Sequence, residues 1–218
     1  HGDTQLREVE LQGPAGRTRI ACDQVAVGYG LVPNTELAQL LGCQLQAYGA
    51  HQQVQVDALM RTSMAHIFAA GEVCGIGGRD CALIEGAMAG YMAADAADAA
   101  LRLQPRRHAA RAFAELLRQQ FALDPCIRTL AQPDTLICRC EDVPLRALDS
   151  FHDARDAKLA SRCGMGACQG RICGTALAEL GRCLPDRSTD AGRRPPLFPV
   201  RLAALADSFT SDSQGNHP

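Results

Sequence analysis

The feature that most constrains this chain is a cysteine-rich stretch, residues 135–174, reading TLICRCEDVPLRALDSFHDARDAKLASRCGMGACQGRICG. It holds five of the eleven cysteines: Cys138 and Cys140 as C-x-C, then Cys163, Cys168 and Cys173 five residues apart. A thiolate pair in a tight loop and a second group beyond a short helical insert can converge on one metal centre. Four thiolates set among Gly, Arg and Gln suit an iron–sulfur cluster or zinc. Cys138 and Cys140 are the firm pair; beyond them Cys163, Cys168 and Cys173 are all candidates. The odd cysteine count and the C-x-C spacing argue for reduced thiols on a metal over a secreted disulfide scaffold.

At 218 residues the chain can hold one large domain or two small ones, with a sizeable core in either case. Aromatics make up only 4% and Trp is absent, so Ala, Leu and Val must fill most of that core. A net charge of −2 gives no electrostatic case for nucleic acid or an anionic membrane. No apolar run approaches the roughly 18 residues of a membrane span; the expected location is cytoplasmic, with any link to the inner membrane made through partners. The chain begins with His1 and enters strand-like text at once, so it reads as the C-terminal portion of something longer.

Residues 6–32 predict a β-hairpin around the turn GPAG, followed by a buried strand running into Gly28 and Gly30. VPNTELAQLLGC predicts a helix capped by Asn34 or Thr35, with Leu37, Leu40 and Leu41 on one face. HQQVQVDALM alternates as a strand, and HIFAAGEV reads as a buried strand ending at Gly71 and Glu72 before the turn CGIGGRD. A long Ala/Gly/Met helix follows from near Cys81 to Leu103, with Met88 and Met92 as core residues one turn apart. Pro105, with Arg106 and Arg107, marks a boundary. Residues 108–122 predict an amphipathic helix whose stripe of Phe113, Leu116, Leu117 and Phe121 packs on a neighbouring domain while its arginines face solvent. Behind the cysteines, RRPPLFPVRLAALAD reads as an extended arm leading to a short helix, and the polar end as a disordered tail.

Two motifs carry a resemblance. Residues 23–90, through VPNTELAQLLGC, VQVDALMRTSMAHIFAAGEVCGIGG and ALIEGAMAG, resemble the C-terminal half of the two-dinucleotide-domain flavoproteins of the pyridine nucleotide–disulfide oxidoreductase type. The resemblance implies an α/β fold. It also implies a flavin site in which Gly71 and Glu72 bring a carboxylate to the FAD ribityl chain, while Cys81 and Ala82 open a helix aimed at the flavin. A Gly lets backbone approach the cofactor, a carboxylate accepts ribityl hydrogen bonds, and helix N–H groups favour negative charge. Glu72 stands where the family usually has Asp, one methylene shorter. The GxGxxG turns that bind FAD and NAD at the front of such proteins are absent, so the FAD site of this chain is incomplete. Its other half lies either earlier on the same polypeptide or on another one.

The second motif, CRCEDV with SRCGMGACQGRICG, resembles the helical [2Fe-2S] domain similar to bacterioferritin-associated ferredoxin. The version it resembles is fused to flavoprotein subunits of heteromeric amino-acid and opine dehydrogenases, the proline, hydroxyproline, octopine, nopaline and hydrogen cyanide synthase group. Related loops read Gly-Met-Gly-x-Cys-Gln-Gly-x-x-Cys, which implies Cys138, Cys140, Cys168 and Cys173 as cluster ligands and leaves Cys163 as a nearby thiol. The implied organisation is 1–104 for the flavoprotein portion, 105–133 for a helical linker, 134–185 for the cluster domain and 186–218 for the arm and tail. The implied function is an FAD- and [2Fe-2S]-containing oxidoreductase subunit with no catalytic residue of its own. It takes electrons from a flavin-containing, substrate-oxidising partner subunit in a hetero-oligomer.

A [2Fe-2S] centre on four thiolates is formally about −2 oxidised and about −3 reduced, a change that Arg139, Arg162 and Arg171 can offset. The competing readings are a non-enzymatic ferredoxin-like electron-transfer or docking module, a zinc-stabilised domain, and a redox dithiol of Cys168 and Cys173. A Rieske site needs two His ligands, and only His152 is near.

Overall fold

The computed structural model describes residues 1–182, 197–198 and 200–206. Cys183, the Pro-rich stretch before residue 197 and the polar tail after residue 206 lie outside the described residues. The chain forms two compact units, His1–Gly30 and Leu31–Pro218.

The first unit is a hairpin of β1 (Glu8–Gly13) and β2 (Gly16–Ala21), antiparallel and in register from Glu8 opposite Ala21 to Gly13 opposite Gly16. Arg19 ties the two strands by ion pairs to Glu8 at 3.2 Å and Glu10 at 3.0 Å. The buried strand expected after the hairpin does not form: residues 24–30 have no regular structure, and Val25, Val27 and Tyr29 are exposed. A strand must pair its backbone N–H and C=O groups, and among the described residues nothing forms a ladder with this segment.

In the second unit, α1 (Glu36–Leu40) starts where the sequence predicts a cap, with the Asn34 side chain accepting from the Glu36 N–H at 3.3 Å. A second hairpin follows, β3 (Leu45–Tyr48) against β4 (His51–Val54). The segment expected as a buried strand into Gly71 makes only one isolated bridge, Arg61 to Phe68, and runs into a 3₁₀ turn at Gly71–Cys74. Strand pairing among the described residues is therefore confined to two-stranded antiparallel ladders.

Two helices then cross-pack, α2 (Gly78–Ala93) and α3 (Ala97–Gln120). The sequence placed the break between helices at Pro105; it falls at residues 94–96 instead, and α3 runs through Pro105. Asp95 takes the left-handed conformation (φ 56°), and the Ala96 N–H reaches back to the Tyr91 carbonyl at 2.9 Å. Asp tolerates that conformation better than most residues, so the helix ends without the Gly that usually announces a stop. Met60, Met88, Met92 and Ala100 form the core of this layer, the role the sequence assigned to Met88 and Met92.

The faces of α3 differ from expectation in part, although Arg118 stays exposed as expected. Phe113, Leu116, Leu117 and Phe121 are exposed, while Arg107 and Arg111 turn inward onto α2. A buried carboxylate on α2 decides the matter, because an unpaired buried charge costs more than exposing an apolar stripe.

Beyond a 3₁₀ turn at Pro125–Thr129, the cysteine module is built from β5 (Leu136–Cys138), β6 (Val143–Pro144), a 3₁₀ turn at Leu145–Leu148, α4 (Ala154–Ser161) and α5 (Cys173–Leu180). Asp153 caps α4, accepting from the Arg155 and Asp156 N–H groups. The core of the module joins Ile137, Val143, Leu148 and Leu177 to three cysteines, Cys138, Cys163 and Cys173. No helix among the described residues is long and apolar enough to cross a membrane.

Candidate metal centre

Cys138 ends strand β5, and Cys140 sits two residues on, in the turn before β6. Arg162 ends α4 in the left-handed conformation and releases the chain into the loop of Cys163 and Cys168, and Cys173 opens α5. These elements converge. The sulfurs of Cys138, Cys163 and Cys173, all buried, lie within 4.8 Å of one another. The Cys140 and Cys168 sulfurs lie 3.9 Å apart on the more open side. One narrow cleft is lined by Cys138, Cys140, Cys168 and Cys173 together, with Ile137, Arg139 and Ile172 completing it. Cys163 sits behind that cleft and is not part of its lining.

Cys163, Cys168 and Cys173 differ electrostatically. The S–H of Cys163, with further hydrogen bonds from Cys138 and the α5 N-terminus, holds the Cys173 thiol down at about 6 against the opposing effect of burial. Backbone N–H groups, that of Ile172 foremost, lower Cys168 as well. Cys163 is pushed up, first by its bond to Cys173 and then by burial, and so stays a thiol. Thiolates are the metal-binding form, and Cys163 serves as a donor to them.

Gly166 is required by close approach: a Cβ there would stand 2.1 Å from Cys140 Cβ and 3.1 Å from its sulfur. Gly166→Ala must displace the C-x-C turn. For a metal held by these thiols, the expected result is loss of most of it with the helices of the module retained, read by metal analysis and far-UV circular dichroism.

Of the three arginines expected to offset cluster charge, two are already paired. Arg162 bonds Glu141 at 2.7 Å, and Arg171 bonds Glu36 of α1 at 2.7 Å while also donating to the Cys168 carbonyl at 3.2 Å. Arg171 further donates to the Leu197 carbonyl, and its guanidinium lies 4.7 Å from the Phe198 ring centre. Arg139 is exposed and makes no ion pair among the described residues. A second bridge into the module runs from His51 on β4 to Glu179 on α5, at 2.8 Å.

The flavin-facing residues expected from the sequence sit around the Gly71–Cys74 turn and the start of α2. Gly71 is buried with φ 77°, and a Cβ on it would press on Ala82 at 3.3 Å, so this turn lies directly against the first turns of α2. Glu72 is exposed, and its carboxylate makes no hydrogen bond or ion pair among the described residues. Helix α2 starts at Gly78, earlier than expected, with no side-chain cap on its first N–H groups. An exposed acceptor beside uncapped N–H groups fits a ribityl and phosphate partner. Cys81 turns inward to Gly77 and Glu85, and burial raises its thiol, so its side chain does not share in that surface.

The sequence reading missed Glu85, which is wholly buried and central. It accepts from the Gly71 N–H (3.1 Å), Arg107 Nε (2.9 Å), Arg111 Nε (2.8 Å) and Arg111 Nη2 (2.7 Å), while Arg111 Nη1 donates to the Gly75 carbonyl (2.9 Å). Glu85 and Arg111 thus clamp both ends of the turn that carries Glu72. A signal existed: Cys81, Glu85, Met88 and Met92 are the buried positions of α2, so Glu85 is an acid in phase with the apolar stripe.

Residues 1–100 match the pyridine nucleotide-disulphide oxidoreductase family. Among curated proteins the chain is similar to an opine oxidase subunit of Rhizobium meliloti (strain 1021), 35% identical over 93% of this chain and 46% of the relative. It is likewise similar to the corresponding opine oxidase subunit of Agrobacterium tumefaciens (strain Ach5), at 32% over 94% of this chain and 45% of the relative. Hydrogen cyanide synthase subunit HcnB of Pseudomonas protegens is 30% identical over 90% of this chain and 45% of its own length. The chain therefore spans less than half the length of the curated relatives it matches. Coverage of 93% leaves too few unmatched residues to exclude the cysteine module from the likeness. No solved structure matches the chain.

Proposed function

We propose that this chain is part of an oxidoreductase subunit that holds a [2Fe-2S] centre beside an incomplete FAD site. It serves a heteromeric dehydrogenase that oxidises an amino acid or secondary amine of the proline, hydroxyproline or opine type. The observation that carries the reading is the single cleft lined by Cys138, Cys140, Cys168 and Cys173, the four thiols that would hold the cluster. When bound, such a centre takes up and gives back one electron at a time.

The residues of this chain supply the rest. Cys163 donates a hydrogen bond to Cys173, and N–H groups of Gly170, Ile172 and Gly174 face the Cys168 and Cys173 sulfurs, interactions that favour added negative charge. Glu72 would accept from the ribityl chain, with Gly71 and the main chain of Cys81 and Ala82 close beside it. The likeness to proteins named as subunits supports a hetero-oligomer with a flavin-containing, substrate-oxidising partner.

The test is composition. The full subunit, purified without oxygen, should carry about two iron and about two sulfide ions per chain, together with flavin. A single zinc without sulfide would refute the cluster, and a cluster without flavin in the assembled enzyme would refute the FAD portion.

A further inference from the structure

Two ion pairs tie the cysteine module to the part of the chain that matches the oxidoreductase family: His51 to Glu179 at 2.8 Å, and Glu36 to Arg171 at 2.7 Å. The second reaches the metal centre. Arg171 lies between Cys168 and Cys173, and its Nη1 donates to the Cys168 carbonyl at 3.2 Å. Glu36 opens α1, 135 residues away, where the Asn34 side chain accepts from its N–H. One carboxylate oxygen of Glu36, Oε2, accepts from Arg171 Nε at 3.1 Å and from Nη2 at 2.7 Å.

Reduction of a [2Fe-2S] centre adds one electron and takes the charge on the site from about −2 to about −3. A cation beside the Cys168 carbonyl favours the reduced form, and a carboxylate paired with that cation opposes it. With side chains only 28% and 14% exposed, Arg171 and Glu36 are screened less than a surface pair, so both charges act on the site. Arg162 is also paired, but by Glu141 of the module itself, and Arg139 makes no ion pair among the described residues. Of these three arginines, Arg171 is the one whose charge is offset from outside the module.

We propose that Glu36 is a positioning residue for the one-electron step. Through Arg171 it orients the loop of Cys168 and Cys173, and it holds the potential of the centre below the value that the module alone would set. The inference rests on the cluster reading above and adds to it a residue from α1. The reducing strength of the centre then depends on how the module is seated. With Glu36 in contact with Arg171, the centre gives up its electron more readily than with the two apart.

The test uses the full subunit, purified without oxygen and poised with dithionite and redox mediators while EPR reads the reduced centre. Glu36→Gln and Arg171→Gln each remove one charge from the same pair. Glu36→Gln leaves the guanidinium unopposed, and the ratio of reduced to oxidised centre at a fixed potential should rise about threefold or more. Arg171→Gln leaves the carboxylate unopposed, and that ratio should fall by about as much. Shifts of opposite sign support the proposal. A mere loosening of the loop would move both variants the same way, so shifts of one sign overturn it, as do unchanged potentials. Should Arg171→Gln lose its iron, Glu36→Gln and Glu36→Asp decide. A rise in the first, with the charge-keeping second near the wild type, supports the proposal, and any other pattern overturns it. A wild-type subunit with neither iron nor signal refutes the cluster and this proposal with it, a failure distinct from unchanged potentials in a loaded subunit.

Discussion

With the proposed cluster bound, Cys140→Ser and Cys168→Ser should each abolish its reduced-state EPR signal, whereas Cys163→Ser should leave it in place. The two outer sulfurs lie 3.9 Å apart on the open side of the cleft, and removing either takes away a ligand that no neighbour on that side replaces. Cys163 instead faces the Cys173 and Cys138 sulfurs on the inner side, as an S–H donor to Cys173, and a serine hydroxyl in its place still donates. The measurement is EPR of the dithionite-reduced subunit, with iron content as a control. Loss of the signal in Cys163→Ser, with retention in Cys168→Ser, would move the ligand set to the inner triad of Cys138, Cys163 and Cys173.

The second large effect concerns the clamp behind the Glu72 turn. Glu85→Ala should destabilise the α2–α3 layer by about 3–5 kcal/mol, because it leaves two half-buried guanidinium groups and the Gly71 N–H without their acceptor. Urea unfolding of the wild type and the variant, followed by circular dichroism, measures it. Burial pushes the Glu85 carboxyl up, but the bonds from Arg111 and Arg107 outweigh it and hold the carboxyl below its ordinary 4.5. A depressed folded-state value means the stabilisation is complete above about pH 4.5 and is lost as the pH falls through the lower, folded value. The acid-side loss should be smaller in Glu85→Gln, which has nothing to titrate. A variant as stable as the wild type would show that the clamp contributes little.

What the sequence made legible was local. The C-x-C turn, the Gly-rich loop and the helix between them follow from spacing, and the four expected ligands do line one cleft. The first hairpin follows from alternation around GPAG, and the burial of Met88 and Met92 from their period. What stayed hidden was set by partners distant in sequence. The segments around Val27 and Phe68 have strand composition, but strand geometry exists only where another strand takes up the backbone groups. The orientation of α3 could not be read from Phe113, Leu116, Leu117 and Phe121, because Glu85, on another helix, turns the arginines inward. The helix break at Asp95 carried no Gly or Pro to mark it. Cys163 looks like its neighbours as text and differs only through the sulfurs it touches.

Arg171 is shared by three parts of the chain: the Cys168 carbonyl, Glu36, and Leu197 with Phe198. The last of these contacts is intramolecular only because the backbone stays continuous from residue 182 to residue 197. Continuity keeps the local concentration of the Phe198 ring at Arg171 high; a cut in that interval would let it fall to that of a free peptide. The sulfur-bearing loop is thereby made sensitive to the integrity of a peptide bond well outside it.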